Sequence, residues 1–396
     1  MANYVQVIGT AIALNLLFKL PLVAGCAISI VDVLIILLFY RPNGSMKGLR
    51  LFEFFVMLLV LGVVICFCFN LSLIKNVTVG EVFKGYLPSK AIVQSQGHVA
   101  SPSLKPFCPT NPTSSLYQSC GILGATVMPH SLYLGSGIVQ SRLKDFDTAK
   151  GTLIAPNSST AEEIEPTRSS TTSAEADFLD EDNKPKYRPS IAAIRSCLSY
   201  SITELAISLF TFALFVNSAI LIVSGASLSN VDGASSADLF GIHDLLSKSL
   251  APAAGTIFAL ALLLSGTSAG IVCTIAGQMV SEGQLRLHMR PWMRRLITRS
   301  ISITPSIIIA GAVGRDGLSA ALEGSQVALS IILPFVSAPL IWFTCRQAYM
   351  TVTDGESGAQ VSMRNHWVTA TLAALIWGVI VVMNVALLVL VGMGVN

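Results

Sequence analysis

Charged residues are scarce in this chain. Of 396 residues only 12% are Asp, Glu, Lys or Arg, whereas 53% are hydrophobic. A soluble domain carries about a quarter charged residues, so this composition and a mean hydropathy of +0.68 exclude an ordinary soluble fold. The net charge of +3 is small and by itself says nothing about nucleic acid; no nucleic-acid partner is expected. The N-terminus MANYVQVIGTAIALNLLF has no basic stretch ahead of its apolar run, so it is not a secretory signal. The alternating segments of about ten residues that build a membrane barrel are missing. So are a nucleotide-binding P-loop, a CxxC pair and an HExxH motif; nothing indicates an enzyme or a resident cofactor. Eight cysteines do not make a disulfide framework. Cys26, Cys66, Cys68, Cys197, Cys273 and Cys345 lie in apolar runs, where cysteine behaves as a small hydrophobe. Cys108 and Cys120 pair only if their loop faces an oxidising side.

Long apolar runs are what the chain does have. Nine hydrophobic segments stand at about 5–18, 21–40, 51–74, 116–141, 198–225, 253–280, 298–314, 325–344 and 366–393, read against the roughly 20 residues a spanning helix needs. They describe an all-α polytopic membrane protein with about nine transmembrane helices. Lys19, Leu20 and Pro21 make a tight hairpin between the first two, with proline opening the second. Lysine and arginine favour the cytosolic side. With the N-terminus cytosolic, 18 of the 25 basic residues fall inside and seven outside. Without the 142–195 loop, ten remain inside against the same seven.

Two loops are long. Residues 75–115 fall outside and carry the sequon Asn76-Val77-Thr78. Residues 142–195 fall inside, and their stretch NSSTAEEIEPTRSSTTSAEADFLDEDNKP (157–185) is acidic, Ser/Thr-rich and expected to be disordered. This linker separates residues 1–141 from 196–396.

The stretch GATVMPHSLYLGSGIVQSR (124–142) holds the chemistry. Pro129 has no N–H and clashes with the carbonyl four residues back, that of Ala125, so a helix interruption is expected around 125–129. Broken backbone survives in lipid only where protein or water surrounds it, and secondary transporters bind substrate at such breaks; a simple proline kink is the other reading. The Met128 thioether is a soft ligand suited to late first-row metals, or a packing group. His130 is the only histidine inside an apolar run, and is either a proton-relay residue or a neutral ring bonded to a neighbouring helix. Gln326, in SQVALSIILPF, bonds across helices or turns its oxygen to a cation. Asp32 and Glu204 are further intramembrane acids that pairing with basic residues explains, and Asn217 is a further polar residue there. Gly266 to Gly270 is a close-packing GxxxG motif. Arg294 and Arg295 sit at a cytosolic helix start as membrane-edge anchors.

GATVMPHSLYLGSGIVQSR resembles the sixth-helix signature of the Nramp family of divalent metal transporters. VIGTAIALNLL, PLVAGCAISIVDVL, LAPAAGTIFALALLLSGTSAGIVCTIAGQMVSEG, PWMRRLITRSISI and SQVALSIILPF resemble other helices of that family. The wording is most similar to its fungal manganese transporters, over nearly the whole chain except 157–185. The resemblance implies an inverted-repeat fold of five plus five helices, broken at the midplane in helices one and six. Residues 1–141 would match family helices three to six, and 196–396 helices seven to eleven. It further implies a substrate metal held by the Met128 thioether, the Ala125 carbonyl and, on occlusion, Gln326. His130, Arg294 and Arg295 would belong to a proton-linked network.

Against that pattern, the first span here matches the family's third helix. The Asp-Pro-Gly-Asn motif of helix one, with its Asp and Asn metal ligands, is not in these 396 residues. Where the family commonly has Thr-Asp-x-Ala-Glu, this chain has Ala2, Asn3, Tyr4, Val5 and Gln6, so amides at Asn3 and Gln6 replace both acids of a proton route. The fold is thus expected to be an incomplete inverted repeat in an N-terminally truncated member. The implied function is proton-coupled transport of Mn²⁺- or Fe²⁺-class ions, impaired in the chain as it stands. The implied setting is a multi-pass protein of the plasma membrane or an endosomal or vacuolar membrane. The alternatives are a non-transporting membrane subunit that associates with a full-length paralogue, and an amino-acid transporter of the same fold, which the Met-Pro-His signature disfavours.

Overall fold

The computed structural model describes residues 2–29, 46–74, 78–87, 112–151, 189–228, 231, 237–285, 291–312, 314–353 and 360–393. Asp32, Asn76, Cys108 and the 157–185 linker lie outside them.

The described chain is almost entirely helical. Its elements are α1 (Ala2–Phe18), α2 (Leu22–Ile28), α3 (Met46–Ser72), α4 (Val79–Gly85), α5 (Pro112–Thr126), α6 (Pro129–Lys150) and α7 (Ile191–Ser208). A π-helical turn, Leu209–Ala213, leads into α8 (Leu214–Leu228). There follow α9 (Leu239–Ser249), α10 (Pro252–Leu285), α11 (Pro291–Ala312), α12 (Arg315–Cys345), the strands β1 (Thr351–Thr353) and β2 (Gln360–Ser362), and α13 (Trp367–Gly392).

Among the described residues six helices are long and apolar enough to cross a membrane, and seven if the bent pair α1–α2 is one span. The nine segments read from hydropathy include stretches that lie partly outside the described residues. The second hydrophobic segment is described only as far as Ser29. The segment at 298–314 keeps only a short apolar stretch, Ile303–Ala312, because Arg294, Arg295 and Arg299 occupy the first turns of α11. The Lys19–Pro21 hairpin forms where expected and turns the chain by 120°. Lys19 takes a positive φ of 55° there, and Pro21 stands just before the first helical residue of α2. Helix α6 runs through Lys150 and α7 begins at Ile191, both inside the stretch read as linker.

Two compact units are distinguishable. The first contains residues 1–134, 208–345 and 365–396. Its centre is α1, in which Val7, Ile8, Ala11 and Ile12 are fully buried. A helix apolar on all sides is a buried helix, and α1 is packed by α2, α10, α11 and α12. The close-packing motif of α10 acts here. A Cβ on Gly266 would stand 2.7 Å from the Thr10 hydroxyl and 3.2 Å from its backbone nitrogen, so glycine lets α10 lie on α1. At the periphery α13 keeps Leu372, Leu375, Val379, Val382 and Val385 exposed, as a lipid-facing helix requires.

The second unit contains residues 135–207 and 346–364. Asp147 is buried and accepts from both the amide (2.9 Å) and the hydroxyl (2.6 Å) of Ser190, which in turn accepts from Ala193 N–H at 3.1 Å. Ser190 thereby caps the start of α7, an arrangement that satisfies an otherwise unpaired helical donor. Glu204 pairs with Arg142 at 2.6 Å, and the same guanidinium lies 5.6 Å from the Tyr200 ring centroid. The expected partner of this intramembrane acid is therefore Arg142. An antiparallel ribbon with Val352 opposite Val361 completes the unit.

Candidate metal site at the helix break

The interruption forms where Pro129 places it. Helix α5 ends at Thr126, Val127 and Met128 are non-helical, and α6 begins at Pro129. Local donors and acceptors close both ends. Val127 N–H donates to the Leu123 carbonyl at 2.9 Å, and the Thr126 hydroxyl donates to that of Ile122 at 2.7 Å. At the other end the Met128 carbonyl accepts from Ser131 N–H (3.0 Å) and Ser131 Oγ–H (2.6 Å). Pro129 has no N–H to give to the Ala125 carbonyl, which is left without its ordinary helical partner. The two non-helical residues stand inside a 35-residue apolar stretch, Leu116–Lys150, long enough to be one span.

Helix α12 lies directly against this break. Gly124 is buried, and a Cβ built on it would clash with the Gln326 carbonyl oxygen and stand 2.8 Å from Ser330 N. The absence of a side chain at Gly124 thus sets Gln326 level with Gly124 and its neighbour Ala125. Below them Cys120, Val327 and Leu387 join α5, α12 and α13 in one apolar cluster. Cys120 is a free thiol there, while Cys108, its candidate partner, lies outside the described residues. The Ser330 hydroxyl donates to Asn384 Oδ1 at 3.0 Å. The Tyr133 hydroxyl donates to the Val336 carbonyl at 2.7 Å, tying α6 to α12 as well.

The Gln326 amide oxygen is buried with no hydrogen-bond partner. A buried acceptor left unpaired costs about 1–3 kcal/mol; Thr10, Asn70, Ser201, Ser227 and Ser319 also carry buried side-chain atoms of this kind. The interhelical hydrogen bond through the Gln326 oxygen is not formed. Met128 is half-buried in the break. His130, in the first turn of α6, is half-buried with Nε2 3.3 Å from the Cys273 sulfur on α10. The ring is therefore bonded to a neighbouring helix. Sequence reasoning missed Cys273 because a cysteine within an apolar run looks like packing.

The remaining candidates are not gathered at the break by any described contact. Gln6 is buried on α1, and Asn3 lies in the first turn of the same helix. Arg294 and Arg295 are in the first turns of α11. Among the described residues no cluster of three or more His, Cys, Asp or Glu could hold a metal. Ala125, Met128 and Gln326, the residues the sequence singled out as ligands, are all neutral.

Known proteins match this chain along nearly its whole length. The manganese transporter SMF1 of Saccharomyces cerevisiae is 44% identical over 98% of this chain and 70% of its own length. The manganese transporter pdt1 of Schizosaccharomyces pombe is also 44% identical, over 99% of this chain and 68% of its own. Among solved structures, a variant of the Eremococcus coleocola manganese transporter superposes with a TM-score of 0.66 at 28% identity, covering 97% of this chain and 68% of that one. The family model described as natural resistance-associated macrophage protein-like matches residues 1–390. With its broken helix and α12 packed on the break, this integral membrane protein belongs to the Nramp family.

Proposed function

We propose that the chain serves proton-coupled transport of divalent transition-metal ions of the Mn²⁺ and Fe²⁺ class rather than an enzymatic reaction. The Ala125 carbonyl, the Met128 thioether and the Gln326 amide oxygen bind the substrate ion. The observation that carries this reading is the Gln326 oxygen, buried without a partner on the helix that packs against the break. A late first-row ion accepts such a mixture of oxygen and soft sulfur, which Ca²⁺ and Mg²⁺ do not favour. His130, Arg294 and Arg295 serve the proton route.

Three neutral donors compensate poorly for stripping water from a divalent ion, and the amides of Asn3 and Gln6 do not titrate. Residues 1–396 by themselves are therefore expected to move no metal. Joined to a segment carrying the acidic Asp-Pro-Gly-Asn motif that the family resemblance implies, they should take up radiolabelled Mn²⁺ saturably. Proton coupling should stay impaired until Asn3 becomes Asp and Gln6 becomes Glu. The measurement is pH-dependent uptake into vesicles against empty vesicles. Saturable uptake by the 396 residues alone would sink this view of the donor set.

The distribution of basic residues adds an orientation, with the N-terminus and residues 142–195 cytosolic and residues 75–115 outside. A cysteine introduced near position 165 should resist an impermeant thiol reagent on intact cells and react once the membrane is opened. Labelling from outside would reverse the topology.

A further inference from the structure

We propose that Cys273 and His130 form a two-ligand binding site for a thiophilic divalent ion of the zinc class, separate from the substrate ligands at the break. The Cys273 sulfur and His130 Nε2 come from different helices, α10 and α6, and stand 3.3 Å apart. A tetrahedral ion with bonds of about 2.3 Å to sulfur and about 2.0–2.1 Å to nitrogen spreads those two atoms about 3.5 Å. The observed separation is within a few tenths of an ångström of that bite, so little helix movement is needed. His130 presents Nε2 toward the thiol, the nitrogen whose lone pair would bind the ion when Nδ1 holds the ring proton. Cys273 is buried whereas His130 is half-buried, so the imidazole edge is the side of entry.

As the ion binds, the Cys273 S–H bond breaks, its proton leaves to water, and the sulfur–metal bond forms. His130 binds through its Nε2 lone pair, and no electron changes hands. Two protein ligands leave two positions for water, since among the described residues no group of three His, Cys, Asp or Glu is formed. Such a site is weaker than a closed structural zinc centre and is filled by external ion. Occupation fastens α6, two residues past Met128, to α10. Under the transport function proposed above this holds the break in one position, and the ion acts as a non-competitive inhibitor.

Direct binding tests the site without requiring transport. With one equivalent of Zn²⁺, X-ray absorption at the zinc edge on the unmutated full chain should show one sulfur at about 2.3 Å together with nitrogen or oxygen neighbours. Calorimetry should give a Zn²⁺ affinity that falls at least tenfold in Cys273→Ser and in His130→Gln and is unchanged in Cys120→Ser. A zinc shell of oxygen and nitrogen alone in the unmutated chain would overturn the proposal, whether or not the variants fold. So would a sulfur signal that survives in Cys273→Ser.

Discussion

Gly124→Ala should destabilise the protein, although alanine is the better helix former. Exchanging glycine for alanine inside a helix ordinarily gains about 0.5–1 kcal/mol. At Gly124 the added methyl would clash with the Gln326 carbonyl oxygen and press on Ser330 N. Both are backbone atoms, so no rotamer change relieves the clash and α12 must move away from α5. Overpacking of this kind costs about 1–3 kcal/mol, sometimes more. A Cβ added at Gly277 of α10 would meet nothing within 4 Å, and Gly277→Ala should be neutral or stabilising. Thermal unfolding in detergent, followed by size-exclusion chromatography, reads both. Equal shifts for the two variants would show that α5 and α12 are not in close backbone contact. In the chain joined to the acidic segment, Gly124→Ala should also weaken Mn²⁺ binding, because it displaces Gln326 from the level of the break.

Met128→Ala should change ion selectivity more than affinity for the substrate ion itself. The thioether favours soft ions, so in the joined chain Cd²⁺ binding should fall about tenfold, roughly 1.4 kcal/mol, and Mn²⁺ binding by less. Rejection of Ca²⁺ should relax at the same time. Competition binding with the three ions makes the comparison. Equal losses for all three would leave Met128 with a packing role only.

These expectations rest on features that were unequally legible in the sequence. Pro129 announced the interruption, because a missing N–H has one local consequence, and the structure opens the helix at Val127 and Met128. The Lys19–Pro21 hairpin and the close packing at Gly266 followed from equally local chemistry. Gly124 gave no warning: what matters is the backbone of α12 lying against it, a contact between residues some 200 positions apart. Cys273 was hidden for a related reason, since its apolar neighbours in sequence say nothing of the imidazole opposite. The π-helical turn at Leu209–Ala213, the amphipathic helix α9 and the β1–β2 ribbon lie outside what apolar run length can register. Run length also says nothing of where a helix begins: the apolar stretch at 298–314 belongs to a helix whose opening turns carry three arginines.

Gln326→Leu, assayed for both stability and metal binding in the joined chain, tests the proposed site most directly. Leucine is an apolar side chain of broadly similar size that carries no amide, and the oxygen it removes is buried with no partner. If that oxygen is held in readiness for a metal ion, the thermal midpoint should stay the same or rise, by up to about 1 kcal/mol of stability. Mn²⁺ affinity should meanwhile fall about tenfold or more, roughly 1.4 kcal/mol. A variant that loses stability and keeps its Mn²⁺ affinity would contradict the assignment, and would make Gln326 a packing residue and the break something other than the metal site.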